Sequence, residues 1–439
     1  MNKTYYIETF GCQMNIADSE VVAAILHDNG YTRVSHPDDA EMILLNTCSV
    51  RNKAEQRIWN KLQHLKGLKK KQRHLKIGIL GCMAQRIGND FEQNKTVDFI
   101  AGPDSYRKLP ELIQRSSTEH FASDLELSKT ETYDNVLPRR LDTTGVSGFV
   151  TITRGCNNFC SFCIVPYTRG RERSRHPKDI INEINDLQHN GYKEITMLGQ
   201  NVNSYRWEHD GQHTGFPELL QTAATQFPDP RIRFTTSHPK DISDALIETM
   251  AAHKNICNHI HLPVQSGSND VLKAMNRGYT REWYLDRIDK IKTEIPNCGL
   301  STDIFAGFPG ETEADHKASM RLMQQVKFDS AFMFRYSERP GTYAAKHLKD
   351  DVPEATKIRR LNELIKLQHQ LSLESNKHET GKVYDILIEG KSKRSDKDVF
   401  GRTETNKLVI VPDSNYKPGK IITVIIESYT SATLFGKIL

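Results

Sequence analysis

Three times near its amino end the chain repeats one pattern: a short apolar run, a turn carrying a cysteine, and a stretch with helical periodicity. The runs are Tyr5 to Phe10, Met42 to Leu45 and Ile77 to Leu80, and the cysteines that follow them are Cys12, Cys48 and Cys82. Short strands alternating with helices predict an open α/β sheet, in which the loops at the carboxyl ends of the strands gather along one edge. The cysteines are 36 and 34 residues apart (48 − 12 and 82 − 48), yet such an edge would bring them together. Free cysteine also packs as a small hydrophobe, so three buried turn thiols are the alternative to three ligands.

The alternation resumes further on. Between Ser116 and Val146 the chain is polar and acid-rich, with Glu119, Asp124, Glu126, Glu131, Asp134 and Pro138, and reads as a linker. From Gly148 onward six β-type runs recur between helical patterns: Phe149 to Thr153, Glu194 to Leu198, Ile232 to Thr236, His259 to Val264, Gly299 to Phe305 and Ala331 to Tyr336. Six βα units predict an incomplete barrel whose functional residues sit on the loops after the strands. A helix over Pro353 to Lys377 leads to closely spaced runs, Val383 to Ile388, Leu408 to Val411, Ile421 to Ile426 and Ala432 to Phe435, which predict a small antiparallel β-barrel. The expected fold is thus multidomain α/β: an open sheet over 1–118, a linker over 119–145, a partial (β/α)6 barrel over 146–376 and the small barrel over 377–439. A length of 439 residues accommodates this division.

The chain has eight cysteines. Residues Met1 to Glu8 contain no apolar signal-peptide region, and no stretch approaches the ~18 apolar residues of a membrane span. A cytoplasmic, reducing location is therefore expected, where grouped cysteines read as metal or redox ligands rather than disulfides. Three of them form C-x3-C-x2-C in Arg154-Gly155-Cys156-Asn157-Asn158-Phe159-Cys160-Ser161-Phe162-Cys163. Three thiolates on one loop suit three corners of a 4Fe-4S cube and leave the fourth iron open to a small molecule. Structural zinc wants four ligands. His176, Cys257 or Cys298 would have to supply the fourth, and spacing alone leaves both readings open. Cys257 and Cys298 otherwise read as packing thiols.

Lys plus Arg number 60 against 55 Asp plus Glu, a net charge of +5 that matters only where it clusters. From Lys61 to Lys76 there are seven basic residues, Lys61, Lys66, Lys69, Lys70, Lys71, Arg73 and Lys76, and no Asp or Glu. A second group is Arg169, Arg171, Arg173 and Arg175. Such patches supply phosphate contacts to nucleic acid. Taken by itself the lysine run reads first as the solvated face of a helix, whereas the arginines follow the cysteine loop directly, where phosphate or substrate contact is favoured. Lys69, Lys70, Lys71, Arg169, Arg171 and Arg173 are the candidate RNA contacts.

C-x3-C-x-aromatic-C on the first loop of a partial barrel resembles the radical S-adenosylmethionine (SAM) superfamily. The stretches Gly11 to Asn15, Asn46 to Arg51 and Gly81 to Arg86 resemble the auxiliary-cluster domain of the methylthiotransferase family. So do Tyr167 to Arg175, Gly199 to Tyr205, His261 to Ser268 and Gly307 to Thr312. The last region resembles the TRAM domain, a small RNA-binding module. The resemblance implies two 4Fe-4S clusters, one on Cys156, Cys160 and Cys163 that cleaves SAM to a 5′-deoxyadenosyl radical, and one on Cys12, Cys48 and Cys82 that presents sulfur. It implies sulfur insertion at carbon 2 of an adenine and methylation of that sulfur by a second SAM. Phe162, Gly199, Gln200, Val264, Gln265 and Asp303 become the expected SAM contacts, and no catalytic side chain is assigned beyond the clusters. The implied substrate is N(6)-dimethylallyladenosine next to the anticodon, favoured by the runs Asn46 to Glu55 and Arg169 to Arg175; family members also act on threonylcarbamoyl-modified adenosine or a ribosomal protein aspartate. Expected partners are a tRNA anticodon stem-loop, an electron donor such as flavodoxin or ferredoxin, and iron-sulfur assembly or sulfur-supply proteins, with no membrane and a monomeric enzyme. The rival from another class is a non-catalytic RNA-binding protein holding structural zinc.

Overall fold

Met42–Thr47 is buried at all six positions, the mark of a strand covered by helices on both faces. It belongs to a sheet of β1 (Thr4–Thr9), β2 (Thr32–Arg33), β3 (Met42–Thr47), β4 (Lys76–Gly81), β5 (Phe99–Ala101) and β6 (Ala122–Asp124). The strand order is β2-β1-β3-β4-β5-β6, and every neighbouring pair is parallel. Period-two alternation sends Met42 and Leu44 to one face, with Val22, Ile25 and Leu26 of α1 (Gln13–Asp28), and Ile43 and Leu45 to the other, with Ile58, Leu62 and Leu65 of α2 (Asn52–Lys71). The strand order reverses between β1 and β3, the switch point at which open α/β sheets place their ligands. The computed structural model describes residues 3–49, 52–142, 145–412 and 416–439, with the backbone alone at 52–54. Val50 and Arg51 of the second cysteine motif, and Thr143 and Thr144 of the expected linker, lie outside the described residues.

The chain folds as two compact units, Met1–Thr143 with Phe149–Asn157 and Ile164–Glu183, and Thr144–Gly148 with Asn158–Cys163 and Ile184–Leu439. In the first unit the acid-rich segment is packed rather than extended as a linker. Tyr133 is buried, and its hydroxyl donates to the Pro103 carbonyl at 2.8 Å and accepts from the Tyr106 amide at 3.0 Å. Arg107 pairs with Glu131 at 2.9 Å, and Arg140 with Glu20 at 2.7 Å. The acids that looked like linker composition have basic partners distant in sequence. Beyond β7 (Ser147–Thr151), β8 (Thr153–Arg154) and β9 (Arg173–Ser174) pair antiparallel across the arginine-rich segment, which also lies in the first unit.

The second unit contains the strand pair β10·β13 and the three-stranded sheet β14-β15-β16. Its strands are β10 (Glu194–Leu198), β13 (Arg231–Thr235), β14 (His259–His261), β15 (Gly299–Ala306) and β16 (Ser330–Arg335), with a hairpin of β11 (Arg206–His209) and β12 (Gln212–Gly215) after β10. The pairs β10·β13, β14·β15 and β15·β16 are parallel. Of the six strands that the periodicity predicted, five lie wholly in this unit, and of β7 only Ser147 and Gly148 belong to it. The helix Glu354–Lys377 closes against its outer side, where Gln368 donates to the Phe328 carbonyl at 2.8 Å and Ser372 to that of Asp329 at 2.7 Å. Among the described residues no helix is long and apolar enough to cross a membrane.

The carboxy-terminal barrel is closed, in the order β17 (Val383–Ser392), β18 (Ser395–Arg402), β19 (Leu408–Val411), β21 (Leu434–Ile438) and β20 (Ile421–Tyr429). It departs from the expectation twice: β19·β21 is parallel, and β18 is an additional strand. The Ser-Asp-Lys-Asp sequence opening β18 has little strand propensity, and only Val399 and Gly401 turn inward. Arg231 and Arg233 of β13 anchor the barrel through the carbonyls of Asp385, Arg402, Thr403 and Glu404. A Cβ on Gly401 would lie 2.2 Å from the Leu387 carbonyl oxygen. Gly401→Ala is expected to cost roughly 1–3 kcal/mol through this backbone overlap, seen as a lower thermal midpoint of the full chain.

Candidate active site

The three amino-terminal cysteine turns meet at the carboxyl edge of the first sheet, on both sides of its switch point. Asn15 donates to Asn46 Oδ1 at 3.1 Å and to the Thr47 carbonyl at 3.2 Å, while Asn46 returns a bond to the Asn15 carbonyl at 2.8 Å. This reciprocal clamp joins the Cys12 turn to the Cys48 turn. Gly11 and Gly81 make the approach possible. Both have positive φ, and a Cβ would lie 2.5 Å from Cys48 Cβ at Gly11 and 2.5 Å from Asn46 Oδ1 at Gly81. Cys12 is exposed at the N-cap of α1, and Cys48 and Cys82 are buried. Burial pushes the Cys82 thiol up, against which the Arg169 guanidinium acts; Arg169 Nε donates to Cys82 Sγ at 3.1 Å.

The arginine run is placed differently from the expectation of a phosphate-binding cluster. Arg169 and Arg173 are buried, as is Arg175. Arg154 and Arg169 each meet one oxygen of buried Asp18 at 2.8 Å, and Arg173 spans both oxygens of Asp104 at 2.6 and 3.2 Å. Arg175 pairs with Glu183 at 2.7 Å. Buried guanidiniums paired with buried carboxylates are not available to RNA phosphates. Burial alone would push the Asp18 carboxyl up; the two guanidiniums outweigh it and hold it below the usual value. Arg171 is exposed. In the lysine run, Lys69 is tied to Asp98 at 2.6 Å, whereas Lys70 and Lys71 are exposed at the carboxyl end of α2, where positive charge also suits the helix dipole.

In the second unit the Cys160–Cys163 half of the loop is held by Ser161, whose amide donates to the Met275 carbonyl at 3.0 Å and whose carbonyl accepts from Ala344 at 2.7 Å. Buried Arg277 donates to Cys160 Sγ at 3.2 Å and to the Pro263 carbonyl at 2.8 Å. Among the described residues no carboxylate forms an ion pair with it, so the sulfur is its anionic partner when ionised. A lone arginine in Asn276-Arg277-Gly278 carries no motif in sequence, and neither does Asp18; only the fold shows their roles.

Of the expected SAM contacts, Gly199, Gln200, Val264 and Gln265 follow β10 and β14, Asp303 lies within β15, and Phe162 is on the cysteine loop. Phe162 packs edge-on against Phe305 at 5.0 Å. The Gly199 amide donates to the Thr235 carbonyl at 3.1 Å. Val264 is fully buried, its amide on Thr302 Oγ1 at 3.0 Å, and Asp303 is half-buried, 3.6 Å from His261 Nε2. Four atoms here are buried without a hydrogen-bond partner: Oε1 of Gln200, Oγ of Ser237, Nε2 of His238 and Oε1 of Gln265. His238 Nδ1 accepts from the Lys240 amide, and burial, with Arg277 and Lys240, lowers its pKa to about 2. The neutral ring therefore carries its proton on Nε2. An unmet buried polar group costs roughly 1–3 kcal/mol, and acceptors and a donor after β10, β13 and β14 fit a ligand as polar as SAM.

The thiols fit iron-sulfur clusters in donor type. Among the described residues no three His, Cys, Asp or Glu side chains crowd around a point that would take a single ion. A cube takes one thiolate per iron, so its ligands stand apart. Cys257 and Cys298 are buried, which raises their pKa to about 11 and about 12, as packing thiols require.

Three family models match: Uncharacterized protein family UPF0004 over residues 4–102, the Radical SAM superfamily over 150–323 and the TRAM domain over 377–439. The chain is 55% identical over 437 residues to a tRNA-2-methylthio-N(6)-dimethylallyladenosine synthase of Phocaeicola vulgatus, covering 99% of this chain and 96% of that one. It is 54% identical over 436 residues to the synthase of the same name from Porphyromonas gingivalis, covering 99% and 94%. Among solved structures it is similar to the radical S-adenosylmethionine methyltransferase TsrM of Kitasatospora setae, with a TM-score of 0.60, 13% identity and coverage of 79% of this chain and 77% of that one. The cobalamin-dependent S-adenosylmethionine radical enzyme OxsB gives 0.57, 13%, 83% and 56%. At these identities the structural likeness is one of fold.

Asp18→Asn leaves two buried guanidiniums without the carboxylate charge they share. A loss of roughly 3–5 kcal/mol is expected, measurable as a lower thermal midpoint; an unchanged midpoint would show that the pair is not structural.

Proposed function

The chain belongs to the family of tRNA-2-methylthio-N(6)-dimethylallyladenosine synthases, and on that premise we propose how its residues divide the work. It is a radical SAM enzyme that methylthiolates dimethylallyladenosine in tRNA, which sets the non-catalytic zinc reading aside. Cys156, Cys160 and Cys163 hold the SAM-cleaving 4Fe-4S cluster, and Cys12, Cys48 and Cys82 hold a second, sulfur-presenting one. When bound, these groups and SAM supply the one-electron chemistry that opens an unreactive C–H bond and the sulfur that replaces the hydrogen. The observation that carries the second cluster is the clamp of Asn15 and Asn46 with Gly11 and Gly81, which draws three sequence-distant cysteine turns to one sheet edge.

Arg277 and Arg169 each donate to one ligand sulfur, Cys160 and Cys82, and so orient it and favour its thiolate. Gln200, Ser237, His238 and Gln265 offer unmet polar atoms to SAM, with Phe162 beside them on the cysteine loop and Gly199 and Val264 forming the wall behind. RNA is held by exposed Lys70, Lys71 and Arg171 and by the carboxy-terminal barrel, whose β17–β18 hairpin exposes Lys391, Lys393, Arg394 and Lys397. The target base lies in an anticodon loop, where it leaves its stack at low cost. A flavodoxin- or ferredoxin-type donor supplies electrons, and iron-sulfur assembly or sulfur-supply proteins renew the sulfur, in the cytoplasm.

Anaerobically reconstituted enzyme given reductant, SAM and a dimethylallyladenosine anticodon stem-loop is expected to yield the 2-methylthio nucleoside by mass spectrometry. Product confined to a threonylcarbamoyl substrate would overturn this. Cys156→Ala should abolish SAM cleavage, and Cys48→Ala should retain part of it while losing product. The triple alanine variant of Cys12, Cys48 and Cys82 should bind half the iron of wild type. Arg277→Met removes a buried cation from the cluster and should lower its potential by about 60 mV, a decade in a one-electron equilibrium, read by an EPR-monitored redox titration.

A further inference from the structure

The register of β14, β15 and β16 builds a surface that the cluster and SAM assignments leave unused. His261 lies opposite Ser301, Ser301 opposite Ser330, Asp303 opposite Phe332 and Phe305 opposite Phe334. Alternation places these residues on one face, while Leu300, Thr302, Ile304 and Ala306 are buried on the other. On the first face Phe332 and Phe334 are 56% and 41% exposed. Single exposed apolar side chains are ordinary, but these belong to two aromatic groups on one sheet face. Phe162 meets Phe305 at 5.0 Å, Phe305 meets Phe334 at 6.0 Å, and Phe332 meets the His261 ring at 5.8 Å. The first group runs from the residue before Cys163 down the strands.

Its charge is one-sided. Asp303 is half-buried beside His261. His259, bonded to Ser301 at 3.1 Å, is held neutral because burial, then Arg233 and His261, lower its pKa to about 3. Arg335 belongs to the alternate face and pairs with Glu354. None of the paired residues of this face, His261, Ser301, Asp303, Phe305, Ser330, Phe332 and Phe334, is Lys or Arg.

We propose that Phe305, Phe332 and Phe334 form the subsite for the dimethylallyl group and its adenine, and that Asp303 excludes a base bearing a carboxylate. This rests on the methylthiotransferase reading and deepens it. Aromatic rings offer stacking to the base and an apolar bed to a branched five-carbon chain. A threonylcarbamoyl group would bring its carboxylate to Asp303, a like-charge contact that disfavours the wrong partner. Asp303 thereby passes from the SAM contacts to the substrate face, consistent with its place three residues before the end of β15 (306 − 303).

The test measures dissociation constants of the reconstituted enzyme for anticodon stem-loops carrying adenosine, dimethylallyladenosine or threonylcarbamoyladenosine at the target position. Wild type is expected to prefer the dimethylallyl RNA. Phe332→Ala and Phe334→Ala should each reduce that preference about tenfold, equivalent to about 1.4 kcal/mol, while Phe332→Leu keeps most of it. Asp303→Asn should narrow the preference for dimethylallyl over threonylcarbamoyl RNA severalfold, read as the ratio of the two dissociation constants. Iron content and thermal midpoint equal to wild type establish that each variant is folded. Wild-type preference in both alanine variants would overturn the subsite, even with the 2-methylthio product forming normally. Absence of that product from wild type would overturn the functional reading itself.

Discussion

A buried carboxylate shared by two guanidiniums holds the first unit together where its chemistry lies. Asp18 projects from α1 and takes Arg154, just before the cysteine loop, and Arg169, just after it. Arg169 then reaches Cys82. Neither charge would tolerate burial alone, because the desolvation of each is repaid only by the other. Around this triad, Arg173 on Asp104 and Arg175 on Glu183 repeat the same device. A segment of alternating arginines thus becomes an internal brace, and its positive charge is spent on orienting a sulfur and closing a loop.

The second unit solves a related problem with unfilled polar groups. Its strands end in Gln200, Ser237, His238 and Gln265, each with an atom that the protein leaves unmet, and in Arg277, whose anionic partner is a cysteine sulfur. Such groups are costly in an empty protein and favourable once ligands satisfy them. A ligand that met these groups and bound the native state alone would raise its stability. The exposed phenyl rings beside them make the same statement in apolar terms.

Much of this was legible from residues alone. The strands before Cys12, Cys48 and Cys82, the six later β-type runs and the helix over Glu354–Lys377 have strong periodicity and lie within a few residues of their observed places. β18 was hidden because Asp396, Lys397 and Asp398 face away from the barrel core and give no apolar alternation. The stretch around Tyr133 looked like a linker because its acids are read as solvated until Arg107 and Arg140 are seen beside them. The arginine run misled for the mirror reason: charge in sequence says nothing about whether a carboxylate waits across the fold.

The amino-acid sequence by itself determined the strand-and-helix alternation and the succession of an open sheet, a partial barrel and a small barrel, and it singled out six cysteines as the ligands that the family resemblance implies. These depend on local periodicity and on the spacing of one loop. Only the tertiary structure decided that Asn15 and Asn46 clamp two cysteine turns together, that Arg169 and Arg277 serve sulfurs rather than phosphates, and that Phe332 and Phe334 stand uncovered beside Asp303. Each is a pairing between residues far apart in the chain, set by strand order and register, to which no local pattern corresponds.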